Sequence, residues 1–262
     1  MEHQKILLTK EDSVATVTLN RPERMNSFDF PTLRELLSSL EQIAADPEVR
    51  AVVLTGSGRA FCAGADLNVM RESSDPASVV LKGLTALFHP IISTLRRMDK
   101  PVIAAVNGFA SGGGFSLAVA CDIVIAAEGA RFNAAYVNIG LSPDGSLTYL
   151  LPRLVGLQRA AQLFFTGEQV DAEKGYELGF VNQVVKAEEL MDVVGTLAKR
   201  LAAGPTFAIA RAKQLLNRSF HESLETQMEN ERGGVAACGA TEDLREGVTA
   251  FLEKRPPQYK GR

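Results

Sequence analysis

The chain has 262 residues, enough for one large domain or a core with a smaller appendage. An apolar content of 46%, no Trp and a net charge of −3 describe an ordinary globular protein without the basic footprint of a nucleic-acid binder. The start, MEHQKILLTKEDS, lacks the apolar centre of a signal peptide, and no apolar run reaches membrane-spanning length, so no membrane role is expected.

Lys5–Leu8 and Val14–Leu19, rich in β-branched residues, flank Glu11-Asp12 and read as a hairpin. A polar loop, Asn20–Arg24, leads to a helix opened by Pro31, with Leu33, Leu36, Leu37, Leu40 and Ile43 at helical spacing and Asp46-Pro47 as its stop. Ala51–Leu54 is a buried strand followed by a turn over Thr55–Arg59, and Phe61–Leu67 is a strand-turn-helix corner with small residues at the bend. A polar segment, Arg71–Pro76, precedes a long amphipathic helix from about Ala77 to Met98. Pro101–Val106 is a second buried strand, broken by Asn107-Gly108, and Gly112-Gly113-Gly114 leads into an apolar helix ending near Cys121. Strands follow at Asp122–Ala127 and Arg131-Phe132, then a loop over Ile139–Ser146 and a helix from Leu147. Beyond Asp171 the pattern is helical apart from a strand at Phe180–Val185, and Gly204-Pro205 divides two of the helices. Strands and helices alternate over the first two-thirds, which predicts an α/β core with a helical C-terminal region.

The glycine run is the most informative stretch. A glycine turn between strand and helix presents bare N–H groups at the positive end of a helix dipole and lets a ligand approach the main chain without meeting a Cβ. It suits an anion or a developing oxyanion, and equally a tight crossing of packed glycines; GxGxxG spacing and GK[ST] are both missing. Ala63-Gly64-Ala65 forms a second such corner, and two N–H donors brought together would bracket one oxygen of an acyl compound. Cys62, Cys121 and Cys238 lack metal-ligand spacing and suit a reducing cytosol, hence a cytoplasmic protein without a metal. His3, His89 and His221 are scattered, so neither a zinc site nor a His-based triad is supported, and catalysis would rest on carboxylates and backbone.

With Asn20-Arg21-Pro22, Phe61–Leu67, Asn107–Gly114, Cys121-Asp122-Ile123 and Gly140-Leu141-Ser142-Pro143, the chain resembles the crotonase (enoyl-CoA hydratase/isomerase) superfamily. The likeness continues through Phe164–Glu168, Gly179-Phe180-Val181 and Phe251–Arg255, in the family's order. It implies a spiral of ββα repeats over residues 1–200 and a helical oligomerisation region over 201–262, assembled as a homotrimer or a dimer of trimers. It also implies a coenzyme A thioester as substrate, with no separate cofactor, whose carbonyl lies between the N–H groups of Ala65 and Gly113. Arg24, Ala63, Asp66 and Leu67 would lie along the CoA, and Phe251 and Lys254 would reach the CoA of a neighbouring subunit or simply end an amphipathic helix.

Hydratases of this superfamily carry two glutamates that hold and activate water; the matching positions here are Ser116 and Tyr136. Neither is a base at neutral pH, so the hydration machinery is missing. Asp144, in Ser142-Pro143-Asp144-Gly145, is the remaining carboxylate of the acyl pocket by this likeness, with a turn or helix-capping role as the alternative. The Pro143-Asp144 pair and the C-terminal run from Asp243 to Arg255 are most similar to the branch that isomerises 1,2-epoxyphenylacetyl-CoA and Δ3-enoyl-CoAs. The implied mechanism has Ala65 and Gly113 polarise the carbonyl while Asp144, partly desolvated with a raised pKa, shuttles a proton from the α- to the γ-carbon. Ser116 and Tyr136 would then shape the pocket, with Tyr136 available to a polar substrate group, and Phe115, Leu141 and Phe132 would keep it dry, Phe132 equally by plain core packing. Two other readings are a hydratase with an atypical water site at Asp144 and Tyr136, and a non-catalytic acyl-CoA-binding homologue.

Overall fold

A computed structural model describes residues 4–262; His3 lies outside them. The hairpin forms as expected, with β1 (Ile6–Glu11) antiparallel to β2 (Val14–Leu19). Helix α1 (Phe30–Ala45) starts on Asp29, whose carboxylate accepts the Thr32 N–H, with Pro31 in the first turn. Three repeats of similar plan follow. The first is β3 (Ala51–Gly56), β4 (Ala60–Cys62), α2 (Leu67–Glu72) and α3 (Ala77–Arg97). The second is β5 (Val102–Val106), β6 (Phe109–Ser111) and α4 (Gly113–Ala120); the third is β7 (Ile123–Ala127), β8 (Arg131–Asn133) and α5 (Leu147–Val155). Then come α6 (Leu157–Thr166), β9 (Gln169–Asp171), α7 (Ala172–Leu178), β10 (Gln183–Val185) and α8 (Leu190–Ala202). Three helices close the chain, α9 (Thr206–Arg218), α10 (Leu224–Gly239) and α11 (Glu242–Glu253).

The first strand of each repeat joins a six-stranded sheet in the order β1-β2-β3-β5-β7-β10, and the second joins a four-stranded sheet, β4-β6-β8-β9. This is the ββα spiral that the family resemblance implies. The large sheet is covered on both faces, which explains its unbroken apolar runs. Val52, Leu54, Val102 and Ala104 face the main core, while the alternate residues Ala51, Val53, Ile103 and Ala105 face α8 through Val194, Ala198 and Ala202.

Several boundaries differ from expectation. The break after Val106 holds an additional strand, β6, because Gly108 passes so near the first repeat that a Cβ there would stand 2.1 Å from the Arg59 carbonyl oxygen. That approach places Phe109 and Ala110 in register with β4. The strand expected over Phe180–Val185 is confined to Gln183–Val185, since the Phe180 and Val181 N–H groups are both spent on the Gly175 carbonyl that closes α7. Helix α3 corrects the expectation that no segment has membrane-spanning length, for its 21 residues are long and apolar enough by composition. Its apolar stripe, Val80, Leu84, Phe88, Ile91, Ile92 and Leu95, is instead buried within the protein.

The C-terminal helices are tied to the spiral by one buried cation. Lys213 of α9 is 7% exposed and donates through Nζ to Asp122 Oδ2 at 2.7 Å and to the carbonyls of Leu95 at 2.7 Å and Lys100 at 3.0 Å. Burial holds its ammonium below the usual lysine range, with Asp122 opposing that shift. Removing the ammonium strips the Leu95 and Lys100 carbonyls of their buried donor and leaves Asp122 with Arg96 and the Val102 N–H. Lys213→Met is therefore expected to lower stability by about 3 kcal/mol, read as an earlier urea midpoint with unchanged slope.

Candidate active site

Two backbone corners meet at the junction of the first two repeats. Gly64 has φ +84°, and a Cβ on it would stand 2.9 Å from the Gly113 nitrogen. On the first corner, Phe28 N–H donates to the Gly64 carbonyl at 2.7 Å and Asp66 N–H donates to the Phe28 carbonyl at 2.8 Å. Successive N–H groups of an extended chain point to opposite sides, so Ala65 N–H faces away from Phe28. On the second corner, Gly113 is the first residue of α4, where an N–H has no partner within the helix. Among the described residues, neither the Ala65 nor the Gly113 N–H is taken up by a carbonyl or a side chain. Two free donors thus converge, one of them at the positive end of a helix.

Ala65 and Gly113 line one cavity of about 300 Å³ together with Tyr136, Leu141 and Asp144. Its other walls are largely apolar and include Phe28 and Phe88, whose rings lie 5.3 Å apart. Phe115, expected to keep this chamber dry, instead packs with Phe132 and Phe180 at centroid distances of 5.4 and 5.1 Å in the core behind it. The aromatic wall belongs to Phe28, which precedes α1 and is bridged to Ala65, and to Phe88 of α3, which come from distant points of the chain.

Asp144 sits on the loop before α5. It does not cap that helix with its side chain; the first residue of α5, Leu147, donates its N–H to the Asp144 carbonyl at 3.3 Å. Gly145, at φ +63°, lets this loop close, because a Cβ there would meet Phe88 at 2.3 Å and Ser116 at 2.9 Å. The same carbonyl is held from below: Ser116 Oγ lies 2.8 Å from it, and Tyr136 OH lies 3.3 Å from it and 3.1 Å from Ser116 Oγ. The two hydroxyls thus share one proton-donor network with this carbonyl and with that of Gly112, 3.2 Å from Ser116 Oγ. Ser116 is fully buried and does not line the cavity, so it supports Asp144 from beneath. Burial raises the Tyr136 phenol above its ordinary range, opposed by its bond to Ser116, so it stays neutral throughout the physiological range. The Asp144 carboxylate, one-third exposed, meets a partner absent from the sequence reading: His89 Nε2 at 2.7 Å from Oδ1.

The remaining expected residues lie outside the cavity. Ala63 is half-buried with its N–H given to Met25, and Leu67 is exposed at the start of α2. Asp66 is buried, accepts the Asn68 N–H at 3.1 Å and pairs with Arg21 at 3.2 Å, so its carboxylate is already engaged. Arg21 also reaches the Ser27 carbonyl at 2.7 Å, which makes it a brace under the Ala65 corner. Arg24 is exposed at the end of a 3-10 turn, Pro22–Arg24. Phe251, 83% exposed, and Lys254, also exposed, sit at the end of α11, and neither lines the cavity. Cys62, beside the first corner, is fully buried and its thiol is pushed up to about 12 by that burial, which excludes a thiolate nucleophile at neutral pH.

Residues 9–262 match a family described as enoyl-CoA hydratase/isomerase. The chain is 43% identical to the 1,2-epoxyphenylacetyl-CoA isomerase of Escherichia coli K12 over 98% of both chains. It is 39% identical to the short-chain-enoyl-CoA hydratase of Clostridium acetobutylicum over 97% of both. The crystal structure of an enoyl-CoA hydratase from Bacillus anthracis superposes with a TM-score of 0.94 at 34% identity, covering 99% of this chain and all of that one.

The convergence of the two N–H groups depends on Gly64. Gly64→Ala combines a left-handed backbone with a Cβ driven against Gly113, and is expected to lower kcat/KM on an acyl-CoA substrate about 100-fold while the protein remains folded by circular dichroism.

Proposed function

The chain belongs to the enoyl-CoA hydratase/isomerase family, and within it we propose an acyl-CoA isomerase that works through an enolate, with Asp144 as the proton carrier. The observation that carries this reading is a single carboxylate, Asp144, lining the same cavity as Ala65 and Gly113, whose N–H groups have no partner among the described residues. A thioester carbonyl placed between Ala65 and Gly113 is polarised, and its α-hydrogen becomes acidic. Asp144 takes that proton, the C–H electron pair enters the α-carbon–carbonyl bond, and the oxygen carries the negative charge between the donors. As the electrons return, the protonated Asp144 delivers the proton to the γ-carbon, and a Δ3 double bond becomes Δ2. One carboxylate suffices because removal and delivery are consecutive.

Hydration would need a second group to activate water. Ser116 and Tyr136, at the positions where hydratases of the superfamily carry glutamates, are instead spent on one another and on the Asp144 carbonyl. The relative named 1,2-epoxyphenylacetyl-CoA isomerase, at 43% identity, favours ring-derived CoA thioesters as a second substrate class. Relatives named short-chain-enoyl-CoA hydratase and crotonyl-CoA hydratase, at 39% and 38%, favour the alternative of a hydratase with its water held by Asp144 and Tyr136. No cofactor enters this reaction, and CoA arrives as part of the thioester. The CoA is assigned to the surface at Arg24, Ala63, Asp66 and Leu67. Exposed apolar residues on α10 and α11, among them Val235, Val248 and Phe251, support a trimer or dimer of trimers in which Phe251 and Lys254 reach a neighbour's CoA.

Asp144→Asn is expected to slow the conversion of trans-3-hexenoyl-CoA to the Δ2 product by about 10²- to 10⁴-fold; an unchanged rate would refute the role of Asp144. Rapid hydration of crotonyl-CoA by the wild type would select the hydratase, and tight binding without turnover across an acyl-CoA panel would select a non-catalytic homologue. Light scattering is expected to give the mass of three or six chains, and a monomer would remove the proposed assembly.

A further inference from the structure

Asp144 stands between two cavities. One is the acyl chamber with Ala65 and Gly113; the other, of about 560 Å³, lies behind the loop and is lined by His89, Arg96, Arg97, Tyr149 and His221. His89 belongs only to the second, and its imidazole is 58% exposed. Its Nε2 is 2.7 Å from Asp144 Oδ1, and among the described residues it is the carboxylate's only hydrogen-bond partner. The other charged groups around this cavity are otherwise engaged or stand clear of the carboxylate. Arg96 is held by Asp122 and Asn217, and His221 is bonded to Tyr149. Neither Arg97 nor, on the acyl side, Lys82 forms an ion pair with Asp144.

We propose that His89 is a positioning residue that also exchanges the proton held by Asp144 with bulk solvent. The inference rests on Asp144 being the proton carrier. With Oδ1 held by the imidazole, Oδ2 is left to face the substrate. Once the carboxyl is neutral, the exposed imidazole exchanges through water from its Nε2–H to its Nδ1–H tautomer, and the proton collected on Oδ2 reaches Oδ1 by a flip of the carboxyl group and passes to the Nε2 lone pair so provided. The resulting imidazolium releases its Nδ1 proton to water on the exposed side. The reverse sequence returns a solvent proton to the carboxylate, so both side chains end as they began and only hydrogen isotopes have been exchanged. Histidine suits this task because its charge changes within the physiological pH range and its two nitrogens carry protons independently. Without the relay, exchange is confined to the one-third exposed edge of the carboxyl, and more of the proton it had removed is handed back.

The test is isomerisation of trans-3-hexenoyl-CoA in D₂O by the full-length protein, with deuterium at the γ-carbon of the product read by mass spectrometry and NMR. The wild-type product is expected to carry solvent deuterium there. His89→Gln keeps a donor for Oδ1 but cannot relay a proton; it is expected to slow turnover by about tenfold at most and to lower the γ-deuterium fraction at least about threefold. In His89→Ala, added imidazole is expected to restore the deuterium content. A wild-type product free of γ-deuterium, a His89→Gln product with the wild-type content, or no rescue by imidazole would overturn the role of His89. A wild type inert on this thioester, or Asp144→Asn at the wild-type rate, would instead remove the isomerase reading beneath it.

Discussion

The site depends on how closely two stretches of main chain can approach. A Cβ on Gly114 would stand 2.0 Å from the Cys62 carbonyl oxygen, and one on Gly64 would stand 2.8 Å from that of Ser111. No side chain fits into these crossings, so the backbones themselves are in contact. This contact runs alongside the parallel pairing of β4 with β6, and it points the ends of two repeats at one place. Large strands with both faces buried supply the rigid base, and the small sheet, built from three-residue strands, aims the corners.

Within the cavity, charge is distributed sparingly. The donors are backbone groups that need no ionisation, the phenol of Tyr136 stays neutral, and the buried thiol of Cys62 does not ionise at neutral pH. Negative charge resides on Asp144 alone, at the rim where water and His89 can reach it. Nearby ionic groups brace the scaffold. Arg21 ties Asp66 and Asp29 together under the first corner, and Lys213 fastens α9 to Asp122. A largely apolar chamber strengthens each electrostatic contact within it.

Much of this was legible in the chain itself. Runs such as Val102–Val106 announce strands buried on both faces, and the spacing of Leu33, Leu36, Leu40 and Ile43 announces α1. The corners at Gly64 and Gly113 and the carboxylate at Asp144 could be found because each lies within a short motif. Strands of three residues, β6 and β9, carry too little periodicity to be seen, and they exist because long-range contacts hold them. His89 escaped notice for a related reason: it lies 55 positions from Asp144, on a helix whose pattern announces only an amphipathic stripe. Phe28, Phe88 and Arg21 are likewise defined by partners that folding supplies. Motifs identify groups that act through their own backbone, whereas groups that act through a distant neighbour leave no local trace.

Ser116 and Tyr136 form a buried hydrogen-bonded pair beneath the loop of Asp144. This pair couples three positions that a change of chemistry would have to alter. A glutamate introduced at position 116 alone would bury a charge where a hydroxyl now fits, displace the Asp144 carbonyl and strand the Tyr136 hydroxyl. A tyrosine-to-glutamate change alone would set a second carboxylate against a serine already committed elsewhere. Each single exchange thus breaks the hydrogen bonds that join the three positions. The side chain at one of these positions is therefore constrained by the other two.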